Sequence, residues 1–135
     1  MASGPDGPLG GPAVAGPFVV STPRIGPLRK RADFLRAAKA RGQGTKSFHL
    51  QARRRADHER AEHAVRLGIT CSRKVGNAVA RNRAKRRLRE AGRCILKELG
   101  QDGWDYVLIG RKDTTAQRSW DELLDDLRSA LQSVH

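Results

Sequence analysis

Residues 64–100 read AVRLGITCSRKVGNAVARNRAKRRLREAGRCILKELG, and this stretch decides how the chain folds. Residues 64–71 are rich in β-branched side chains and predict a strand. Asn77 then provides a good N-cap for a long helix, and Gly100 closes that helix. A short extra strand near residues 72–76 is compatible with the same pattern. A strand that leads directly into a long helix indicates a sheet with helices packed on it.

The long helix has two faces of different chemistry. Its apolar side chains fall in one arc of a helical wheel at about 100° per residue, and we expect them to pack on the sheet: Ala84, Leu88, Ala91, Ile95 and Leu99. Gly92 is expected to loosen the helix locally. Residues 73–93 carry nine Lys or Arg and one acid, Glu90. Ordinary surface helices mix both signs, so this excess of arginine, whose planar fork suits phosphate, predicts a nucleic-acid-binding helix.

Two cations of this helix occupy unusual positions on the wheel. Arg81 and Lys85 fall on the apolar face or at its edge, in the first two turns. Burying two cations there would be costly. We therefore expect Arg81 and Lys85 to line the rim of an open cleft between the helix and the sheet.

The remaining elements follow from periodicity and capping. Residues 28–41 have apolar side chains at helical spacing, with Leu35 on the predicted inner face. Residues 47–54 alternate apolar and polar side chains, which predicts a half-buried strand, and residues 105–110 form an apolar strand. Ser119 opens a last helix with a capping box. The predicted order is α-β-β-(β)-α-β-α, which indicates a single domain of the α+β class.

The charge of the chain is large and unevenly distributed. The 135 residues include 27 Lys and Arg against 14 Asp and Glu, a formal net charge of +13. Residues 24–55 and 66–97 each hold eleven basic residues and one acid, whereas residues 98–135 hold four basic residues and eight acids. Like charges destabilise a compact domain, so the excess indicates a polyanionic partner, with nucleic acid first and an anionic membrane surface second.

Two further features limit the class of protein. No apolar run approaches the roughly 18 residues of a membrane span, so we expect no membrane partner. The two cysteines, Cys71 and Cys94, are typical of small apolar residues in a reducing cytoplasm.

Residues 1–26 are predicted to be a disordered arm, because residues 1–23 hold five of the six prolines and five of the fourteen glycines. The folded domain is predicted to span residues 27–135.

Residues 66–90 closely resemble the signature of the ribonuclease P protein family. The family pattern has a strand, a Ser-Lys-Lys-like step, Val-Gly-Asn-Ala-Val, then Arg-Asn-Arg-x-Lys-Arg and a further Arg. The matching residues are Ser72-Arg73-Lys74, Val75-Gly76-Asn77-Ala78-Val79, Arg81-Asn82-Arg83, Lys85-Arg86 and Arg89. Residues 28–34 and 104–111 look like the opening helix and last strand of the family, so the resemblance covers about residues 27–133.

The resemblance implies a fold and a function. The fold is the α-β sandwich of ribosomal protein S5 domain 2, with a left-handed βαβ crossover through the basic helix. That helix binds the catalytic RNA subunit, and a cleft between the first helix and the sheet holds the 5′ leader of precursor tRNA. The RNA, with Mg²⁺, removes the leader, while the protein tightens substrate binding and eases the metal requirement. The family implies a cytoplasmic protein, and no DNA partner is expected.

The resemblance also implies site residues. Binding of the RNA subunit is assigned to the basic helix and the step before it: Arg73, Lys74, Asn77, Arg81, Asn82, Arg83, Lys85, Arg86, Arg87, Arg89 and Arg93. The leader-binding cleft is assigned to the first helix, the first predicted strand and the two cations of the wheel edge: Arg31, Phe34, His49, Gln51, Arg53, Arg81 and Lys85. Ala38 and Gln51 stand where some relatives carry aromatic or bulky residues, so leader binding is expected to lean on Phe34 and on charge.

Other functions fit the sequence less well. A protein nuclease with two metals needs several converging carboxylates, whereas eight of the fourteen acids lie in residues 98–135. No residue is therefore assigned a catalytic role, and no metal ligand is assigned. The alternative is a ribosomal or RNA-chaperone protein that binds RNA without an associated reaction. Charge does not distinguish this alternative from a ribonuclease P subunit, but the motif of residues 66–90 favours the latter. A DNA-binding regulator would need a helix-turn-helix, but strands flank the basic helix.

Overall fold

The computed structural model describes residues 23–135, which build one five-stranded sheet with helices on both faces. The strands are β1 (Ile25–Pro27), β2 (Arg41–Gly44), β3 (Phe48–Arg54), β4 (Val65–Thr70) and β5 (Trp104–Gly110). The helices are α1 (Arg31–Ala38), α2 (Ala78–Leu99), α3 (Thr114–Gln117) and α4 (Trp120–Val134), and a 3-10 turn spans Arg73–Val75. The predicted α+β class is confirmed. The greater part of the predicted arm, residues 1–22, lies outside the described residues.

The sheet is mixed, with the strand order β1-β4-β5-β3-β2. Strands β1 and β5 both run parallel to β4, whereas β3 is antiparallel to β5 and to β2. Helix α2 connects β4 to β5, which are adjacent and parallel, so this segment is the βαβ crossover that the resemblance implies. The left-handed course of that crossover remains a prediction.

The two faces of the sheet are covered very unequally. On one face, Phe48, Leu50 and Ala52 of β3 are fully buried, in a cluster that includes apolar side chains of α2 and the leucine stripe of α4. On the other face, the buried apolar cluster consists of Leu28, Ala37 and Val107, with Phe34 and Ile109 packed at its edge. The predicted alternation of β3 is therefore confirmed, and its polar side chains lie on the thinly covered face.

Helix α2 begins and ends where its capping residues predict. The Asn77 side chain accepts a hydrogen bond from the Ala80 amide at 2.9 Å, and the Gly100 amide donates to the Leu96 carbonyl at 2.9 Å. The helix continues through Gly92 without a break. A Cβ at that position would lie 2.6 Å from Leu67 Cδ2, so Gly92 lets α2 approach β4 closely instead of loosening the helix.

Three short elements differ from the predictions. Strand β1 pairs with β4, so the domain begins before the predicted boundary at residue 27, and Ile25 and Gly26 are not part of a disordered arm. Strand β2 pairs with β3 and shortens the first helix, which was predicted to reach residue 41. A 3-10 turn, capped by Ser72, replaces the extra strand near residues 72–76. Elements of three or four residues are held by backbone hydrogen bonds, and they are too short to produce a recognisable periodicity of side chains in the sequence.

Helix α1 also faces the sheet differently from its predicted orientation. The predicted inner face comprised Leu28, Ala32, Leu35 and Ala38. The buried residues of α1 are Asp33 and Ala37, while the Leu35 side chain is 51% exposed. Leu28 is buried but precedes the helix. The difference arises because Asp33 is paired with Arg66 of β4 beneath the helix, which the periodicity of apolar residues cannot reveal.

Candidate nucleic-acid interfaces

The outer face of α2 presents a row of cations to solvent. Eight of the eleven residues predicted to bind the RNA subunit are exposed: Arg73, Lys74, Asn77, Asn82, Arg83, Arg86, Arg89 and Arg93. From residue 83 to residue 93 the spacing is three or four, which aligns these side chains along roughly 15 Å of helix. Among residues 23–135, no Lys or Arg of α2 forms an ion pair. The row is therefore available to a polyanion.

The opposite face of α2 packs on the sheet as the wheel predicts, with one change. Ala84, Leu88, Ala91 and Ile95 are buried there, and Leu96 is buried with them. Leu99, which was predicted to share this face, is 38% exposed. In the final turn of α2, Leu96 therefore contacts the core in place of Leu99.

Arg87 makes contacts within the protein, although the wheel placed it on the solvent face. Its Nη1 donates to the carbonyls of Thr115 at 3.0 Å and Ala116 at 2.7 Å, and the side chain is half-buried. These carbonyls belong to α3, which lies beside α2. Arg87 therefore joins two helices, and this contact competes with any role in RNA binding.

Arg81 and Lys85 are half-buried at the start of α2. Arg81 Nη1 donates to the Gly76 carbonyl at 3.2 Å. Both cations lie near Cys71, where burial raises the pKa of the thiol while the Gly110 hydrogen bond and the two positive charges oppose that rise. Cys71 packs against the core under α2. The structure therefore places the predicted rim cations on the α2 side of the sheet.

The α1 side of the sheet carries the other predicted cleft residues. Three rows of side chains cross β3, β5 and β4 on this face: His49-Ile109-Thr70, Gln51-Val107-Gly68 and Arg53-Asp105-Arg66. Phe34 of α1 lies over the middle row, because a Cβ at Gly68 would be 2.5 Å from Phe34 Cε1. His49, Gln51 and Phe34 are all half-buried, so this face brings them together at a partly open surface. Arg31 is exposed at the start of α1.

Arg53 lies on the same face, but its charge is neutralised. Its Nη1 and Nη2 donate to the two Glu59 carboxylate oxygens at 2.9 and 2.6 Å. Glu59 also accepts from the Ala56 amide at 2.6 Å. The hydrogen bonds from Arg53 and then from Ala56 lower the pKa of Glu59 to about 2. Arg53 is therefore a paired cation at the edge of the predicted cleft, and not a free one.

A buried ionic network lies at the end of the α1 face where Arg53, Asp105 and Arg66 form a row across the sheet. Asp105 is fully buried and accepts from Arg55 Nη1 at 2.5 Å and from Arg66 Nε and Nη2 at 2.8 and 2.7 Å. Arg66 Nη1 also lies 3.3 Å from Asp33 Oδ2, and Asp33 accepts from Arg36 Nη1 at 2.9 Å. The hydrogen bonds with Asp105 raise the pKa of Arg66. Sequence reasoning missed this network, although an aspartate inside the apolar strand β5 was a signal for it.

The carboxylates of this face do not form a metal site. Asp33, Glu59 and Asp105 each lie against arginine. Within residues 23–135, no group of three or more His, Cys, Asp or Glu side chains is arranged to hold a metal ion. In the same range, no helix has the length and apolar character needed to cross a membrane.

Known proteins share both the sequence and the fold. The family model described as Ribonuclease P matches residues 23–135. The ribonuclease P protein component of Ruegeria pomeroyi is 60% identical over 124 residues, which cover 92% of this chain and 95% of the relative. That of Caulobacter vibrioides is 48% identical over 107 residues, covering 79% and 69% of the two chains.

A solved structure extends this similarity to three dimensions. The RNase P protein from Thermotoga maritima superposes with a TM-score of 0.65 at 28% identity, covering 80% of this chain and 96% of that one. Its fold matches the mixed sheet, crossover helix and flanking helices described above. The exposed cation row of α2, which carries the Arg-Asn-Arg motif, indicates an RNA partner. The chain therefore belongs to the ribonuclease P protein family, the protein subunits of the holoenzyme that processes the 5′ end of tRNA.

Proposed function

We propose that α2 binds the catalytic RNA subunit and that the α1 face binds the single-stranded 5′ leader of precursor tRNA. The observation that carries the first part is the exposed row of α2, which has no ion pair within residues 23–135 and in which Arg83, Arg86 and Arg89 lie three residues apart. Guanidinium groups bind phosphate oxygens in a bidentate manner, and each phosphate contact adds about 0.7–0.9 to the salt dependence of binding. The row therefore supports a backbone-directed contact with folded RNA.

The test of the first part is reconstitution with the cognate RNA subunit. Alanine at Arg83, Arg86 and Arg89 should weaken binding to that RNA and reduce leader removal at low Mg²⁺. Arg128→Ala is a matched control, because Arg128 is a partly exposed arginine on α4 that pairs with Asp125. Unchanged affinity and salt dependence in the triple variant would overturn the assignment.

The second part is supported by the surface around Phe34. Single-stranded RNA binds where aromatic rings offer a stacking platform beside polar and cationic groups, and stacking contributes roughly 1–3 kcal/mol per base. Phe34 is half-buried and rests on Gly68 of β4, while His49 and Gln51 lie on β3, which α1 also contacts. This arrangement supports the binding of one or two bases of a leader above the middle of the sheet.

Leader binding is tested by comparing two substrates. Phe34→Ala combined with Gln51→Ala should weaken the affinity of the holoenzyme for precursor tRNA and spare its affinity for mature tRNA. Leu35→Ala is the control, because Leu35 is the next residue of α1 and points to solvent. Equal losses for both substrates would contradict a leader-binding surface.

We propose that Mg²⁺ is held mainly by the RNA subunit. The carboxylates of the α1 face do not fit a metal site, because each is engaged by arginine. The described residues thus contribute binding and orientation to the reaction, in which the RNA removes the leader. We place this activity in the cytoplasm, in keeping with the two free cysteines.

A further inference from the structure

Helix α1 is attached to the sheet by few apolar contacts. It has eight residues, and its N-cap residue Lys30 makes no side-chain capping hydrogen bond. Isolated helices shorter than about 12–15 residues are only marginally stable, so tertiary contacts must hold α1 in place. The buried apolar cluster beneath it contains three residues, of which only Ala37 lies within the helix. The other attachments of its inner face are the Phe34 ring, which rests on Gly68, and the ionic contact of Asp33 with Arg66.

We infer that Arg66 is a positioning residue that holds α1 over the sheet by binding Asp33 and Asp105 at the same time, and thereby orients Phe34 for leader binding. The inference rests on the proposed function of the α1 face. Arg66 lies on β4, Asp105 on β5 and Asp33 on α1, so one guanidinium joins three elements.

The geometry at Asp105 fixes the direction of the Arg66 side chain. Arg66 Nε and Nη2 bind the two oxygens of the Asp105 carboxylate, at 2.8 and 2.7 Å. A bidentate pair of this kind sets the plane of the guanidinium as well as its distance. The remaining nitrogen, Nη1, is thereby directed at Asp33. Asp105 is also held by Arg55, so the base of this arrangement is rigid.

The contact at Asp33 determines how α1 is rotated. Asp33 is 5% exposed, whereas Leu35 is 51% exposed, so the helix presents a carboxylate to the sheet and a leucine to solvent. Apolar contacts tolerate sliding because they are not directional, but an ion pair with a fixed partner does not. Phe34 follows Asp33 directly, so the rotation fixed at Asp33 also places the Phe34 ring on Gly68.

The test measures leader-dependent affinity, the ratio of holoenzyme affinity for precursor tRNA to that for mature tRNA. Asp33→Asn and Arg66→Lys should each lower this ratio about tenfold, and affinity for the RNA subunit should stay within twofold. Asn keeps the shape of Asp without its charge, and Lys keeps the charge of Arg66 without the fork. Asp33→Glu, which restores a carboxylate, should recover part of the ratio. Arg36→Ala is the control, because Arg36 is the 52% exposed partner of Asp33, and it should leave the ratio within twofold.

A double-mutant cycle separates positioning from general destabilisation. If Asp33 acts through Phe34, then Asp33→Asn added to Phe34→Ala should cause no further loss of leader-dependent affinity. Additive losses, an unchanged ratio in Asp33→Asn, or equal losses for both substrates would overturn the role of Arg66. Binding is measured below the midpoint of thermal unfolding of each variant, and Asp33→Asn decides the question if Arg66→Lys does not fold. A Phe34→Ala variant with an unchanged ratio would instead overturn the proposed leader site itself.

Discussion

Residues 24–55 and 66–97 have the same charge in sequence, with eleven basic residues and one acid each, but within residues 23–135 four of the eight arginines in the first block and one of the eight in the second are paired with carboxylates. In the first block, four arginines are paired with carboxylates: Arg24, Arg36, Arg53 and Arg55. In the second block, Arg66 is paired, and the described cations of α2 have no acidic partner. Three of the neutralising acids, Glu59, Asp102 and Asp105, lie outside both blocks. A count of cations along the chain therefore does not locate a binding surface, because pairing across the fold decides which charges remain free.

The largest effect is expected where a paired arginine loses its partner. Asp105→Asn leaves the guanidinium groups of Arg55 and Arg66 without their buried carboxylate. Removing one member of a buried ion pair typically costs about 3–5 kcal/mol, so the free energy of unfolding in urea should fall by that amount. A loss below about 1 kcal/mol would show that these arginines do not depend on Asp105.

The next largest effect is expected on the unpaired arginines, and on binding alone. Replacing Arg83, Arg86 and Arg89 by Ala should weaken RNA-subunit binding on the order of a hundredfold near physiological salt and lower the salt slope by about two to three. Stability should change by less than about 0.5 kcal/mol, since exposed residues without partners contribute little. A stability loss similar to that of Asp105→Asn would remove the distinction between the two regions.

The pair Arg53–Glu59 predicts a dependence of stability on pH. The Glu59 carboxyl has a pKa of about 2 in the folded protein against an ordinary value of 4.5, so the unfolded chain takes up the proton first as pH falls. The stabilisation is therefore complete above about pH 4.5 and is lost toward pH 2. Glu59→Gln should cost about 2 kcal/mol at neutral pH, and this difference from the parent should shrink between pH 4.5 and 2 in urea titrations. A difference that stays constant with pH would contradict the pairing.

The smallest effects come from two neighbours on α2. Arg86 is exposed, whereas Arg87 donates to the Thr115 and Ala116 carbonyls. Arg87→Ala should lower the unfolding free energy by about 1 kcal/mol and change the salt slope of RNA binding little. Arg86→Ala should leave stability unchanged and lower that slope by about 0.7–0.9. Identical behaviour of the two variants would mean that the internal contact of Arg87 has no energetic weight.

The parts of the fold that could be predicted are those with local signals. The caps of α2 and α4 and the alternation of β3 depend on neighbouring residues and agree with the structure. Strands β1 and β2 could not be predicted, because their pairing uses backbone groups of residues far along the chain. The orientation of α1 was missed for a related reason. Asp33 and its partner Arg66 are 33 residues apart, and only the packing of α1 on the sheet brings them together.

The candidate site shows the same division. Exposure of the arginine row of α2 follows from helical periodicity, and its prediction agrees with the structure. The engagement of Arg53 by Glu59 and of Arg87 by α3 depends on loops and on packing between helices. A helical wheel shows neither loops nor the packing between helices. The contacts of Arg53 and Arg87 within the protein could therefore be identified only from the folded structure.

The close contact between the Phe34 ring and Gly68 restricts how the sequences of this family can vary at these two positions. Any side chain at position 68 would begin within 3 Å of the Phe34 ring, because the Cε1 and Cζ atoms would lie 2.5 and 2.7 Å from the new Cβ. A side chain at position 68 therefore requires the Phe34 ring to move away or to be replaced by a smaller side chain. The two positions are expected to vary together, so relatives with a side chain at position 68 should have a displaced or smaller side chain at position 34.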